Sequence, residues 1–226
     1  MNRIGVIFLV CIAPAFALLL ATLGAVTVAT NPLGWFLLVV GLAYTTGTII
    51  VYAIQKKQFW ETQAGGNVLN QEQGSLSFWL VAISLLLVFF AAPLEDLFQA
   101  PLLPQTLLMT IAGPLLVVFG TALFVWARRT LRLSYAGQIA VTDQQPLVQT
   151  GPYRVIRHPA YGGYLCIALG LGIGYSSLIA ILLALVAFLP AVLVRIHVEE
   201  KILVSTFGDP YREYASHTWR LIPGIW

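Results

Sequence analysis

The sequence predicts an all-α integral membrane protein with about six transmembrane helices, on the basis of composition, segment length and charge distribution. Hydrophobic residues make up 59% of the 226 residues, charged residues only 9%, and the mean hydropathy is +0.86. Soluble domains are roughly 45–50% apolar and about 25% charged, and disordered chains combine low hydrophobicity with high charge. The composition therefore excludes both of these classes.

Six apolar stretches approach the roughly 20 residues that a helix needs to span a bilayer. In chain order they are Ile4–Ala29, Leu33–Ile54, Leu76–Leu94, Leu102–Ala127, Pro159–Tyr175 and Leu178–Val194. A signal peptide is the alternative for the first stretch, but that stretch is longer than the roughly 7–15 residues of a secretory apolar core, which favours a retained helix. Only Ser176 and Ser177 separate the last two stretches, so we expect them to form a helical hairpin.

The breaks between these stretches carry turn residues or charges. Asn31-Pro32 predicts a turn followed by a helix start, whereas Lys56-Lys57 and Arg128-Arg129 end the second and fourth stretches. The other connections are a polar loop at 64–74, an outer loop at 92–104, a cytosolic linker at 133–158 and a C-terminal tail at 201–226. We expect the tail aromatics to lie at the membrane interface; they are Phe207, Tyr211, Tyr214 and Trp219.

The basic residues support this helix count, because they all fall on one side of a six-helix arrangement. The three loops on the other side, at 30–32, 95–101 and 176–177, contain only the acidic Glu95 and Asp96. The 12 basic residues are Arg3, Lys56, Lys57, Arg128, Arg129, Arg132, Arg154, Arg157, Arg195, Lys201, Arg212 and Arg220. By the positive-inside rule their side is cytoplasmic, so we expect both termini in the cytoplasm.

Residues capable of chemistry concentrate in the C-terminal part of the chain. We expect residues 1–127 to form four transmembrane helices and residues 128–226 to form the functional core, with its site at the cytoplasmic end. The net charge of +3 comes without a cluster of Lys, Arg and aromatic residues, so nucleic acid is not expected as a partner. Cys11 and Cys166 lie in apolar runs and show no metal-ligand spacing.

The segment 151–163 is the first candidate for a functional site. Pro159 suits the first turn of a helix, which places His158 at its cap and Tyr161 on the same face as His158. The free N–H groups and partial positive charge of a helix start favour an anionic group. The alternative is a basic, aromatic membrane anchor in which Arg154 and Arg157 face lipid phosphates.

The second candidate lies at the end of the last apolar stretch, where Arg195, His197, Glu199 and Glu200 cluster. Ionisable residues at membrane depth indicate function, although Arg195 and Glu199 also fit an ordinary ion pair four residues apart. A metal site built from His158, His197 and a glutamate lacks the usual helical spacing, so no metal is expected. The glycines of the segment 170–174 lie inside an apolar stretch and predict close helix packing rather than a nucleotide loop.

Several of these residues form an ordered set of short motifs. They are Gly151-Pro152-Tyr153, Arg157-His158-Pro159-Ala160-Tyr161, Arg195, Glu199-Glu200, Phe207-Gly208-Asp209-Pro210-Tyr211, Tyr214, Arg220 and Pro223. Over about residues 128–226 this set resembles the isoprenylcysteine carboxyl methyltransferase family, whose wider relatives include phospholipid N-methyltransferases and, more distantly, sterol reductases. The first four stretches resemble that family only in being apolar.

The resemblance implies that S-adenosylmethionine binds at the cytosolic face and that Arg195 holds the carboxylate of the methyl acceptor. The residues implied to contact S-adenosylmethionine are Gln138, Gln145, Pro146, Leu147, Val148, Tyr153, His158, Pro159, Ala160, Tyr161 and Glu199. The expected activity is carboxyl O-methylation of a lipidic or prenylcysteine-like acid, a reaction that proceeds by alignment and needs no general base.

Three other functions stay open at this point. An N-methyltransferase of amino lipids would use Glu199 or Glu200 as a base, but Arg195 would then lie beside a cationic acceptor. A nicotinamide-dependent membrane reductase would need more basic groups for phosphate binding. A non-enzymatic scaffold or small-solute carrier is the last alternative, and the first four stretches lack ionisable residues for a transport pathway.

Overall fold

The computed structural model describes residues 13–43, 71–98, 102–131 and 147–225, and within these ranges the protein is helical. The helices are α1 (Ala13–Thr27), α2 (Leu33–Ala43), α3 (Gln71–Leu97), α4 (Leu107–Leu131), α5 (Pro159–Gly174), α6 (Leu178–Phe207) and α7 (Asp209–Ser216). A short 3-10 turn at Gly151–Arg154 precedes α5. The described residues contain one isolated β-bridge, between Ile156 and Trp219, so the predicted all-α class is confirmed for them.

Three of these helices are long and apolar enough to cross a membrane: Leu76–Leu97 within α3, the whole of α4, and α6. Shorter apolar helices lie at Ala17–Thr27, Leu33–Ala43 and Pro159–Gly174. Parts of the first two predicted stretches, at 4–12 and 44–54, lie outside the described residues. The structure therefore supports a protein that crosses the membrane several times.

The fourth predicted stretch differs from α4 at both ends. Pro104 disfavours helix in the residue before it, and α4 begins only at Leu107, with the Thr106 hydroxyl oxygen accepting a hydrogen bond from the Met109 N–H at 3.3 Å. At its other end α4 runs past Ala127 to Leu131, because Arg128 and Arg129 complement the negative end of the helix dipole.

The last predicted stretch is likewise longer in the structure, where α6 continues past Val194 to Phe207. One turn of π-helix, Ala184–Phe188, lies just before Pro190. Proline has no N–H and clashes with a carbonyl in the preceding turn, so a wider turn there lets the helix continue. The helix ends at Gly208, whose φ of +61° favours glycine.

Glycines let the C-terminal helices approach each other closely. A Cβ atom at Gly113 of α4 would lie 2.4 Å from the Cα of Gly174, and one at Gly120 would lie 2.5 Å from the carbonyl oxygen of Gly163. A Cβ atom at Gly172 would lie 2.7 Å from Cγ1 of Ile181 on α6. The interpretation of the glycines at 170–174 as packing residues of a helix is confirmed.

A buried polar cluster joins the helices at the end where α5 turns into α6. The Asn31 side chain donates to the Gly174 carbonyl oxygen at 2.8 Å and accepts from the Leu33 N–H at 3.0 Å, which confirms the predicted turn and helix start. The hydroxyls of Thr27 and Tyr175 are 3.0 Å apart. The Ser177 hydroxyl donates to the Glu95 carboxylate, which also accepts from the Leu102 N–H at 3.1 Å.

The C-terminal tail folds back onto the protein, and the expected place of two of its aromatics at the membrane interface is wrong. Tyr211 and Tyr214 are both buried within the protein, and the Tyr214 hydroxyl donates to the Tyr153 carbonyl oxygen at 2.7 Å. Burial raises the pKa of Tyr214 to about 12, although Arg157 lowers it. The turn at Gly208 directs α7 towards the start of α5, and Trp219 stays 45% exposed.

Candidate functional site

The start of α5 and the tail hold each other in place through backbone hydrogen bonds. The N–H groups of Arg157 and His158 donate to the carbonyl oxygens of Trp219 and Arg220 at 2.7 and 3.0 Å, and the Trp219 N–H donates to Val155 at 3.0 Å. His158 occupies the cap position of α5, as predicted, but its side chain makes no cap hydrogen bond. The imidazole instead faces the two glutamates of α6.

Glu199 lies at the centre of the site. Its Oε1 atom accepts hydrogen bonds from the Tyr161 hydroxyl at 2.6 Å and from Arg195 Nε at 3.0 Å, while Oε2 lies 3.4 Å from His158 Nδ1. Arg195 Nε also lies 3.2 Å from the Tyr161 oxygen. The side chains of Arg195 and His158 are each 5% exposed and that of Glu199 is 15% exposed, so this is a nearly desolvated charge network rather than an exposed ion pair at a helix end.

Glu200 has a different set of partners, which connects the site to the tail. Its Oε1 atom lies 2.9 Å from Arg157 Nε, and its Oε2 atom lies 2.9 Å from Arg220 Nε. Arg157 Nη1 also donates to the carbonyl oxygens of Ala215, at 2.8 Å, and Thr218. Because the Arg157 side chain is 8% exposed and holds the tail, the alternative in which Arg157 faces lipid phosphates is wrong.

The imidazole of His158 lies between the two carboxylates. Burial alone lowers the pKa of His158, but the neighbouring carboxylates of Glu199 and Glu200 outweigh that effect and hold the pKa above its ordinary value of 6.5. Nδ1 faces Glu199, whereas the buried Nε2 atom is 3.6 Å from Glu200 and has no hydrogen-bond partner among the described residues. His158 therefore retains a buried donor for a further group.

Arg195 also receives a contact that the sequence did not indicate, from the N-terminal half of the chain. Its Nη1 atom donates to the Ser77 hydroxyl oxygen at 3.2 Å, and its Cζ atom lies 5.9 Å from the centre of the Phe78 ring. Both residues lie in α3, at the start of its long apolar part. In the sequence Ser77 stands close to Ser75 at the polar start of an apolar stretch, and nothing there distinguishes it as a site residue.

The other predicted site residues fall into three groups. Ala160 and Tyr153 are buried in a small apolar cluster next to the charge network, with Val148 packed against it, and Pro159 is buried in the first turn of α5. Leu147 is half-buried, whereas His197 is exposed and stays outside the network. Gln138, Gln145 and Pro146 lie outside the described residues.

Two further observations concern metal binding and the surface next to the site. Within the described ranges no three His, Cys, Asp or Glu side chains form a group that would hold a metal ion. A cleft of about 440 Å³ opens beside the tail, and its walls are Gln149, Arg154, Pro210, Glu213, Tyr214, His217 and Thr218. Neither Arg195 nor Glu199 lines this cleft. The cleft is therefore separate from the charge network, and we take the charge network as the candidate site.

Known proteins with similar sequences are methyltransferases. The family model described as phospholipid methyltransferase matches residues 108–210. A probable protein-S-isoprenylcysteine O-methyltransferase of rice, Oryza sativa subsp. indica, is 31% identical over 154 residues, which cover 65% of this chain and 79% of the relative. The protein-S-isoprenylcysteine O-methyltransferase of Saccharomyces cerevisiae is 34% identical over 125 residues, covering 53% of this chain and 51% of the relative.

The fold is similar to a solved structure, that of a eukaryotic intramembrane Ras methyltransferase, isoprenylcysteine carboxyl methyltransferase. The two share 22% sequence identity with a TM-score of 0.59, and the likeness covers 96% of this chain and 77% of the other. The helical arrangement is therefore similar to that of a known membrane protein, and the sequence relatives confirm the resemblance to the family. Taken with the identity to the rice relative, these findings establish that the chain is a membrane methyltransferase of the isoprenylcysteine O-methyltransferase family.

Proposed function

We propose that the protein uses S-adenosylmethionine to methylate the carboxylate of a lipidic or prenylcysteine-like acid at the cytosolic membrane face. The observation that carries this proposal is Arg195, a buried guanidinium in α6 that is oriented by Tyr161, Glu199 and Ser77. A guanidinium in low dielectric strongly favours an anionic partner and matches a carboxylate in shape. The names of the rice and yeast relatives point to the same acceptor class.

The proposed reaction depends on aligning the acceptor carboxylate with the methyl donor and requires no proton transfer to a base. A carboxylic acid with an ordinary pKa near 4 is ionised at neutral pH, so the nucleophile needs no base. Methyl transfer is an in-line displacement, and holding the two reactants in line accounts for much of the rate. In this proposal Arg195 holds the acceptor carboxylate, and the protein residues around it exclude water.

The residues around His158 fit the methionine end of S-adenosylmethionine. The buried Nε2 atom of His158 is available to a carboxylate, and Glu199 is available to an ammonium group. S-adenosylmethionine supplies an electrophilic methyl group on a sulfonium. The wider contact set remains part of the proposal: Gln138, Gln145, Pro146, Leu147, Val148, Tyr153, Pro159, Ala160 and Tyr161.

The proposal includes a route for the apolar part of the acceptor. Exposed apolar side chains lie on α3 and α6 close to the depth of Arg195, namely Leu76, Phe78, Leu80 and Val194. In a membrane these side chains face lipid tails, so an acceptor with a long apolar chain reaches Arg195 sideways from the bilayer.

We further propose that the chain has six spans, that α5 and α6 form the predicted hairpin, and that both termini and the site are cytoplasmic. The gathering of Arg157, Arg195 and Arg220 at one end of α6 supports this orientation through the positive-inside rule. The division of the chain at residue 127 also stays a proposal, with the amendment that α3 supplies residues to the site.

N-methylation of an amino lipid is the second candidate, because the matching family model is described as phospholipid methyltransferase. The carboxylates of Glu199 and Glu200 would attract an amine, but Arg195 would repel it. Membership of a methyltransferase family leaves the reductase and scaffold interpretations without support.

The chemistry of the product separates the two candidates. Purified protein in lipid is given methyl-labelled S-adenosylmethionine and a farnesylated cysteine acid, or native lipid extract, and the extracted products are treated with base. We expect label to be released as methanol, which means an ester, and to disappear with Arg195→Ala. Label that survives base treatment means N-methylation and overturns the proposal, as does the absence of label in both fractions.

A further inference from the structure

Arg195 lies where three helices meet. Tyr161 of α5 and Glu199 of α6 contact its Nε atom, and Ser77 of α3 contacts Nη1. Ser77 is 2% exposed, and the centre of the Phe78 ring lies 5.9 Å from the guanidinium carbon. The long arginine side chain is therefore fixed from the α3 side as well as from its own helix.

These contacts determine how the guanidinium is oriented. The group is planar and turns as a unit, so a hydrogen bond at Nε alone leaves it free to rock about that bond. A second hydrogen bond at Nη1 fixes the plane. Recognition of a carboxylate through two parallel N–H groups depends on that plane, whereas the charge alone does not.

We propose that Ser77 is a positioning residue for the acceptor carboxylate, acting through Arg195, so that the N-terminal half of the chain takes part in substrate selection. This inference rests on the proposed function, since it needs Arg195 to receive a carboxylate. Ser77 itself touches neither reactant. Its loss should weaken recognition of the acid and leave binding of the methyl donor intact.

The experiment compares Ser77→Ala with two matched variants in the full-length protein. Ser77→Thr keeps the hydroxyl. Ser84→Ala removes a buried serine two turns further along the same helix, whose hydroxyl bonds only to the carbonyl oxygens of Leu80 and Val81 among the described residues, at 2.7 and 3.1 Å. The readouts are KM for a farnesylated cysteine acid, KM for S-adenosylmethionine, and inhibition by the corresponding farnesylated cysteine amide.

For Ser77→Ala we expect KM for the acid to rise about tenfold, which corresponds to loss of one hydrogen bond to a charged group. KM for S-adenosylmethionine and inhibition by the uncharged amide should stay unchanged, because neither depends on the guanidinium plane. Ser77→Thr should restore KM for the acid, and Ser84→Ala should leave all three quantities unaltered. A merely structural role would change all of them together.

The outcomes separate this inference from the proposed function. Wild-type protein that forms no ester overturns the proposed function and this inference with it, before any variant is made. Wild-type protein that forms ester, with an unchanged acid KM in Ser77→Ala, overturns this inference alone. The same holds if Ser77→Ala weakens binding of the amide or of S-adenosylmethionine as strongly as it weakens binding of the acid, or if Ser84→Ala has the same effect.

Discussion

At the scale of single residues, Glu199 and Glu200 are adjacent in sequence but have different partners. Successive helical residues point about 100° apart, so Glu199 faces Tyr161 and Arg195 while Glu200 faces Arg157 and Arg220. The first carboxylate therefore belongs to the proposed binding site, and the second joins that site to the C-terminal tail.

Substitution should separate the proposed roles of Glu199 and Arg195. We expect Glu199→Ala to abolish binding of S-adenosylmethionine, because the ammonium group loses its carboxylate and a buried cation cluster is left uncompensated. Arg195→Ala should retain that binding and lose turnover, because only the acceptor is affected. Isothermal titration calorimetry with S-adenosylmethionine measures the first effect, and undiminished affinity in Glu199→Ala would contradict the assigned role.

The imidazole of His158 should make stability depend on pH. Its pKa is raised in the folded protein, since Glu199 and Glu200 outweigh burial. The contribution to stability is therefore fully present below the unfolded pKa of about 6.5 and is lost as pH rises through the folded value. As pH rises above about 6.5, we expect Tm to fall more steeply in wild type than in His158→Gln. Parallel curves for the two proteins would show that His158 contributes nothing.

At the scale of helices, close backbone contact holds α4 against α5. The space at Gly113 is bounded by the Cα and N atoms of Gly174, which would lie 2.4 and 2.5 Å from an added Cβ atom, and backbone atoms cannot rotate away. At Gly172 the nearest atom is Cγ1 of the Ile181 side chain at 2.7 Å and the nearest backbone atom is 3.0 Å away, whereas at Gly162 the nearest atoms lie at an ordinary 3.7 Å. The three glycines, one in α4 and two in α5, therefore differ in how well each position tolerates a side chain.

These spaces predict a graded response to alanine. Gly113→Ala should lower stability most, with a cost of about 1–3 kcal/mol or more from overpacking, Gly172→Ala should cost less, and Gly162→Ala should be nearly neutral. Gly172→Leu, with its larger side chain, should disrupt folding. Thermal unfolding of the four variants in one detergent tests the order. A Gly162→Ala protein as unstable as Gly113→Ala would contradict the packing explanation, because alanine has a higher helix propensity than glycine and propensity alone would stabilise the helix.

At the scale of the whole molecule, the sequence predicted features that depend on neighbouring residues better than contacts between residues distant in the chain. The turn at Asn31, the cap at His158 and the packing glycines were readable because proline, asparagine and glycine act through their own backbones. The course of α6 beyond Val194, the burial of Tyr211 and Tyr214 and the contact of Ser77 with Arg195 were not. Each depends on a partner far away in sequence, and in an apolar chain neither hydropathy nor spacing identifies that partner.

The two ends of the molecule predict its orientation. Helix α6 begins at the polar cluster of Ser177 and Glu95 and leads to the charge network of Arg195 and Glu200. Because the arginines gather at the second end, the positive-inside rule predicts that this end lies in the cytoplasm. A single cysteine at the exposed Leu102 should therefore react only from outside, and one at the exposed Arg212 only from the cytoplasm.

The labelling uses sealed vesicles of known orientation and a maleimide that does not cross membranes. Cys11 and Cys166 are first replaced by alanine, which removes background, and vesicles opened with detergent show that both new thiols are reactive. Residues 102 and 212 lie on opposite faces only if the chain crosses the membrane an odd number of times between them, which α4, α5 and α6 provide if each spans the bilayer. Labelling of both positions from one side would mean that one of these helices does not cross, and the short α5 would then be the first to reassign.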